Sequence, residues 1–238
     1  MSHLDDHFKA YGKDFIHALD NDLILKWYPQ RIASLKKGSS LLELGIGHGF
    51  STAIFANHFE RHVVVDGSPK IIEAFKLANP ATRVEVVEAY FESFETDERF
   101  DHVVMGFVLE HVDDPKLILD RFKKFLRPGG SIFATVPNAE ALNKRLGLEA
   151  GIISDLFALG PGDRQLGHKQ LFSVPRIREL ARSVGLKEKH IEGLFLKPLT
   201  TKQLLDLGLD EKILQAMMKV GVGYPELSVG ILVELAVS

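Results

Sequence analysis

The chain has 238 residues, 45% of them hydrophobic, which is enough for one domain with a substantial core. Its 29 basic and 32 acidic residues leave a formal charge of −3 and are mixed along the sequence, so nucleic acid is not an expected partner. With no cysteine there can be no disulfide, thiolate zinc site or cysteine nucleophile.

The opening residues, MSHLDDHFKA, lack the basic-then-apolar pattern of a signal peptide. Ile16, Leu19, Leu23 and Trp27 then recur at helical spacing, which predicts an amphipathic helix ending before Pro29. From Ser40 onward, β-branched apolar runs at residues 40–44, 62–66, 83–89, 100–107 and 130–137 alternate with helix-length connections. That alternation reads as repeated βαβ units, hence a mainly parallel sheet covered on both faces. The connecting helices carry clear punctuation. Ser68 and Asp114 are N-cap residues ahead of Pro69 and Pro115, with Ile71, Ile72 and Phe75 buried on the first helix and Ile118, Phe122, Phe125 and Leu126 on the second. Residues 138–170 interrupt the alternation with a glycine-punctuated insertion suited to a substrate lid. Beyond it come a helix at about 173–184, a strand-like KHIEGLFL, a helical segment around 201–220 and a closing alternating run, SVGILVELAV. That last run is too short for a membrane helix and contains Glu234, so the expectation is a soluble, cytoplasmic protein with no membrane partner.

The stretch LLELGIGHGFST places Gly45, Gly47 and Gly49 where a strand hands over to a helix, so bare backbone can approach a ligand there. The spacing is GxGxG: it lacks the third glycine of the dinucleotide fingerprint and the GK[ST] ending of a P-loop. Glu43, at the end of a buried strand, needs a partner, and a ligand amino group or its water would serve. Asp66 ends the neighbouring strand, where a carboxylate can accept both hydroxyls of a ribose.

Together, ELGIGHG, VVVDGSP, FDHVVMGFVLEHVDDP and LRPGGSIFATVPN resemble, in order and spacing, the class I S-adenosylmethionine-dependent methyltransferases. The resemblance covers roughly residues 38–138. It implies an α/β, Rossmann-like sheet of seven strands in the order 3-2-1-4-5-7-6, the last strand antiparallel, with helices on both faces. Residues 1–37 become an N-terminal helical cap, and residues 38–238 a methyltransferase domain with an acceptor-side insertion at about 138–170. The implied cofactor is S-adenosyl-L-methionine, with S-adenosyl-L-homocysteine as product. Gly45, Gly47 and Gly49 border its methionine part, Glu43 organises its amino group, Asp66 holds the ribose, and Gly67 and Ser68 line the adenine. Many relatives have an acidic adenine acceptor after the third strand. This chain has Tyr90 and Phe91 in that neighbourhood, which implies stacking and backbone contacts instead.

For the chemistry, His111 sits in the loop that in relatives passes the reactive methyl, and His168 follows the insertion. Either can act as general base, or be an ordinary surface or loop histidine. Phe107 is a candidate contact for the cationic sulfonium, Tyr11 for the site, and Arg164 for an anionic acceptor, although a solvated loop arginine is the better reading of that last residue. The remaining histidines show no metal-ligand spacing, so no metal site is expected. The implied activity is methyl transfer to an oxygen or nitrogen of a small-molecule acceptor by in-line displacement, with a homodimer as an allowed assembly. The competing reading is a non-catalytic subunit that binds the cofactor to regulate a partner.

Overall fold

The computed structural model describes residues 18–35 and 38–237. Helix α1 (Ala18–Leu35) precedes β1 (Ser40–Leu44), α2 (Phe50–Phe55), β2 (Arg61–Asp66), α3 (Pro69–Ala78) and β3 (Glu85–Glu88). The second half of the sheet comprises β4 (Phe100–Gly106), α4 (Pro115–Phe122), β5 (Leu126–Pro137), α7 (Val174–Ser183), β6 (Leu186–Leu194) and β7 (Gly230–Val237). Helices α5 (Leu142–Glu149) and α6 (Pro161–Leu166) lie in the insertion, and α8 (Thr201–Asp206) and α9 (Glu211–Gly221) join the last two strands.

The strands form one sheet in the order β3-β2-β1-β4-β5-β7-β6. The first five are parallel, and β7 runs antiparallel to both β5 and β6. This is the expected architecture, and its cause is visible in the burial. Every residue of β1 is buried, because Leu42 and Leu44 face one core layer with α4 and α7, while Leu41 faces the other with α1 and Phe55. A strand covered on both sides cannot alternate with polar residues, hence the continuous apolar runs. The caps read from the sequence are present: Ser68 Oγ accepts from the Ile71 N–H at 3.4 Å and Asp114 Oδ1 from the Leu117 N–H at 3.0 Å.

The first helix differs from its sequence reading. It continues through Pro29 to Leu35, and its buried stripe is Ile24, Tyr28 and Ile32, with Leu19, Leu23 and Trp27 only half-buried. Proline removes a single N–H donor, and the tertiary packing of Ile24, Tyr28 and Ile32 against Phe55, Phe59 and Phe133 holds the helix together on both sides of that gap. Likewise, the helical segment expected around 201–220 is two helices, divided where Gly208 takes φ 58°.

Two ties fix α1 across the sheet. Near its start, Asp20 pairs with the buried Lys197, whose ammonium also donates to Thr201 Oγ1 at 2.8 Å. Near its end, Arg31 makes a two-pronged bond to the buried Glu192, both contacts 2.9 Å. The insertion is pinched at its base: Ala139 N–H donates to Phe172 O at 2.7 Å, and the Asn138 amide donates to Ser228 O at 2.9 Å.

Candidate active site

Strand order reverses between β1 and β4, and a cavity of about 1220 Å³ opens at their carboxyl ends, the place where open α/β sheets bind ligands. One wall is the loop after β1. Gly45, Gly47 and Gly49 have φ of 78°, 52° and 77°, a left-handed conformation that side-chain-bearing residues resist. Gly45 and Gly47 line the cavity. Gly49 does not; a Cβ there would come within 3.0 Å of Phe75, so this glycine serves the packing of α2 on α3.

The carboxylate at Glu43 also departs from expectation. It is buried, lies outside the cavity lining, and accepts from Ser51 Oγ at 2.6 Å and from His62 Nε2 at 3.0 Å. Protein donors rather than a ligand amino group answer its need for partners, because alternation along β1 turns position 43 toward α1 and α2. Asp66 does face the cavity, and it holds the glycine loop itself: Oδ2 accepts from the Ile46 N–H and Oδ1 from the Ser68 N–H, both at 2.8 Å. Burial pushes its pKa up, and these backbone bonds oppose that shift. Gly67, Ser68, Tyr90 and Phe91 line the same end, with Tyr90 exposed and Phe91 packed edge-on against Phe122. His48, also in the lining, has its pKa pulled down by burial to about 4, so it is neutral at physiological pH.

At the end of β4 the backbone turns sharply. Phe107 has φ 55°, an unfavourable value for an aromatic residue, and its N–H donates to Thr135 O at 3.0 Å. Phe107 and Tyr28 meet edge to face with ring centroids 5.8 Å apart, and both line the cavity. The Tyr28 hydroxyl sits where a Cβ on Gly106 would be, only 2.1 Å away, so Gly106 must be bare for α1 to close over the strand end.

The far end of the cavity is polar in a different way. His111 and His168 stack edge to face at 4.9 Å, and His168 Nδ1 is 3.0 Å from Asp163 Oδ1. Asp163 holds its proton less tightly than an ordinary carboxyl because the bonds from His168 and from the Gly160 N–H outweigh its burial. Glu110 is fully buried in the cavity wall, and neither of its oxygens has a hydrogen-bond partner in another described residue. Burial pushes its pKa up to about 8. Glu110, His111 and His168 each offer one ligand atom, all within 4.8 Å of one another. These three come from distant parts of the chain, which is why no metal-ligand spacing marks them in the sequence.

Both histidine candidates therefore meet at one spot, while Arg164 is exposed on α6 and outside the lining, its helical neighbour Asp163 being the one that faces in. Tyr11 lies outside the described residues. Sequence reasoning missed Tyr28, Glu110, Asp163, Asn143 and Lys144. Of these only Asp163 left a local signal, as the acid five residues before His168 in the turn-rich PGDRQLGH.

Residues 42–134 match the model of a family described as a methyltransferase domain. A ubiquinone biosynthesis O-methyltransferase of Leptothrix cholodnii is 26% identical over 84% of this chain and 85% of its own length. One of the same description from Coxiella burnetii is 28% identical over 87% of each. Among solved structures, a possible histamine N-methyltransferase of Thermotoga maritima superposes with TM-score 0.66 at 19% identity, covering 99% of both chains. The N-methyltransferase NodS of Bradyrhizobium japonicum, in complex with S-adenosyl-L-homocysteine, gives 0.59 at 16% identity over 97% of this chain and 91% of its own. With the strand order, the glycine loop and the cavity at the switch point, these matches support a class I S-adenosylmethionine-dependent methyltransferase.

Proposed function

We propose that the protein transfers the methyl group of S-adenosylmethionine to a hydroxyl oxygen of a small-molecule acceptor, an amine nitrogen being the second choice, with His168 as general base. An acceptor lone pair forms the new bond to the methyl carbon as the carbon–sulfur bond breaks. That bond's electron pair stays on sulfur and leaves a neutral thioether, S-adenosylhomocysteine. The acceptor proton passes to His168 Nε2, since Nδ1 is engaged with Asp163.

The observation that carries this reading is the Asp163–His168 pair beside His111 in the cavity that the glycine loop also lines. Holding nucleophile, methyl and sulfur in line supplies on the order of 7–11 kcal/mol of barrier reduction, and the base adds roughly 10²- to 10⁴-fold. The aromatic faces of Phe107 and Tyr28 suit a cationic sulfonium. Gly45, Gly47, Asp66, Gly67, Ser68, Tyr90 and Phe91 belong to the cofactor end by this reading, and Gly49 and Glu43 support it from outside the cavity. The relatives named as O-methyltransferases favour oxygen and a quinone precursor as acceptor. The reading also includes residues 1–37 as a cap, residues 138–170 as the acceptor-side insertion, a cytoplasmic location and, as an allowed assembly, a homodimer. The mixed charge supports the exclusion of nucleic acid. The non-catalytic alternative gains no support from relatives whose names are those of enzymes.

Purified protein incubated with methyl-labelled S-adenosylmethionine and a panel of phenols and catechols is expected to release S-adenosylhomocysteine and a methylated product. Binding of the cofactor without turnover on any acceptor, hydroxylated or aminated, would overturn the proposal. A second reading follows from the unpartnered Glu110 oxygens: a divalent cation on Glu110, His111 and His168 would acidify the acceptor hydroxyl. Here a chelator abolishes turnover and added Mg²⁺, Mn²⁺ or Zn²⁺ restores it, whereas unaided base catalysis by His168 is indifferent to chelation.

A further inference from the structure

The cavity contains several cationic side chains, and their pairing differs. Lys197 is bonded to Asp20 and Thr201, and Lys169 pairs with Asp113. Lys144, on the first turn of α5, lines the same cavity and is half-buried, yet its ammonium has neither a hydrogen bond nor an ion pair among the described residues. Burial pulls its pKa down, and the field of Asp163 pulls it partly back. The neighbouring Asn143 also lines the cavity, and its buried amide oxygen has no partner among the described residues. Desolvating a polar group without a partner costs about 1–3 kcal/mol, and more for a charge. The Asn143 oxygen and both Glu110 oxygens are in that condition, and the half-buried Lys144 beside them has no counterion among the described residues, which together mark a place where the missing partners come from a ligand.

We propose that Asn143 and Lys144 form a recognition subsite for a carboxylate on the methyl acceptor, so that the preferred substrates are hydroxylated carboxylic acids. This rests on the methyl-transfer reading and adds to it the substrate class. The geometry fits a single small molecule. Lys144 feels Asp163, Asp163 holds His168, and His168 packs on His111, so the carboxylate end and the reacting hydroxyl end fall within one continuous polar patch. Asn143 accepts from a hydroxyl flanking the carboxylate, or presents its amide N–H to the carboxylate when turned over, while Leu166 and Ala141 offer apolar lining to a ring. Arg164, the cation that the sequence offered as a candidate for this task, is exposed.

The test uses two probes that differ only in the acid group, 3,4-dihydroxybenzoate and 1,2-dihydroxybenzene, with the full-length protein. The parent is expected to favour the acid by about ten- to a hundredfold in kcat/KM, the range of one charge-assisted hydrogen bond. Lys144→Met should erase that preference through KM with little change in kcat. Lys144→Arg should restore much of it, which a merely structural role would not predict. Equal use of both probes by the parent, or an equal loss on both in Lys144→Met, would overturn the proposal. Calorimetric binding of 3,4-dihydroxybenzoate to the S-adenosylhomocysteine complex separates this idea from the catalytic one. Binding that weakens at least tenfold in Lys144→Met supports the subsite even where no turnover is seen, and binding indifferent to the substitution refutes it.

Discussion

The two ends of the cavity treat their polar groups in opposite ways. At the glycine-loop end, Glu43 is satisfied by Ser51 and His62, and Asp66 by two backbone N–H groups, so the protein itself supplies the partners of both acids. At the acceptor end, Glu110 and Asn143 carry buried oxygens without partners among the described residues, and Lys144 has no counterion there. A pocket for a constant ligand can be completed by the protein alone, because its shape never changes. A pocket for the reacting molecule must keep hydrogen-bonding capacity in reserve, and the fold carries that as local instability.

Ways to break this comparison begin with the largest effect. Replacing His168 with Ala is expected to lower kcat by roughly 10²- to 10⁴-fold while S-adenosylmethionine binds as before. A titration showing lost cofactor affinity would mean the two ends are not separate. Next, Asp66→Ala removes the acceptor of two loop N–H groups and should weaken cofactor binding at least tenfold, at about 1–3 kcal/mol of lost stability, read by calorimetry and thermal melting. The sharpest contrast pairs two buried acids. Glu43→Leu strands Ser51 and His62 and should lower the melting temperature, whereas Glu110→Leu removes a carboxyl with no partner to strand and should raise it while impairing turnover. If both variants lost stability alike, the distinction between the ends would fail.

The smallest effect concerns pH and lies outside the cavity. Asp101 accepts from the Ser40 hydroxyl at 2.8 Å and from Ser39 at 2.9 Å and faces Arg127, which together hold its pKa well below the usual carboxylate value against the opposing effect of burial. A depressed folded pKa means that its stabilising contribution is present above about pH 4, the unfolded value, and declines as pH falls below it. Asp101→Asn should therefore flatten the melting-temperature profile on the acid side and leave it unchanged in its slope above pH 6.

Much of this was legible in the sequence. The five parallel strands and their capped helices follow from apolar runs and Ser-Pro and Asp-Pro punctuation, signals written in neighbouring residues. The glycine-loop wall of the cavity was legible for the same reason: Gly45, Gly47 and Asp66 sit at strand ends whose geometry is local. Glu43 misled because strand alternation decides which face a carboxylate meets, and a five-residue strand buried on both sides gives no polar marker of its faces. The acceptor end was illegible as an arrangement. Glu110 and His111 lie after β4, Asn143 and Lys144 on α5, and Asp163 and His168 around α6, so only the folded insertion brings them together. Helix α1 was blurred because apolar residues sit on several of its faces, and a proline that usually ends a helix was overridden by core packing.

The buried bond between Lys197 and Asp20 carries one more implication. An ammonium buried this deeply is tolerable only while its counter-charge stays docked, so this bond ties the start of the leading helix to the rest of the fold. Shortening the chain past that aspartate would orphan a cation beneath the sheet's far edge, and the damage would appear in folding yield before it appeared in catalysis.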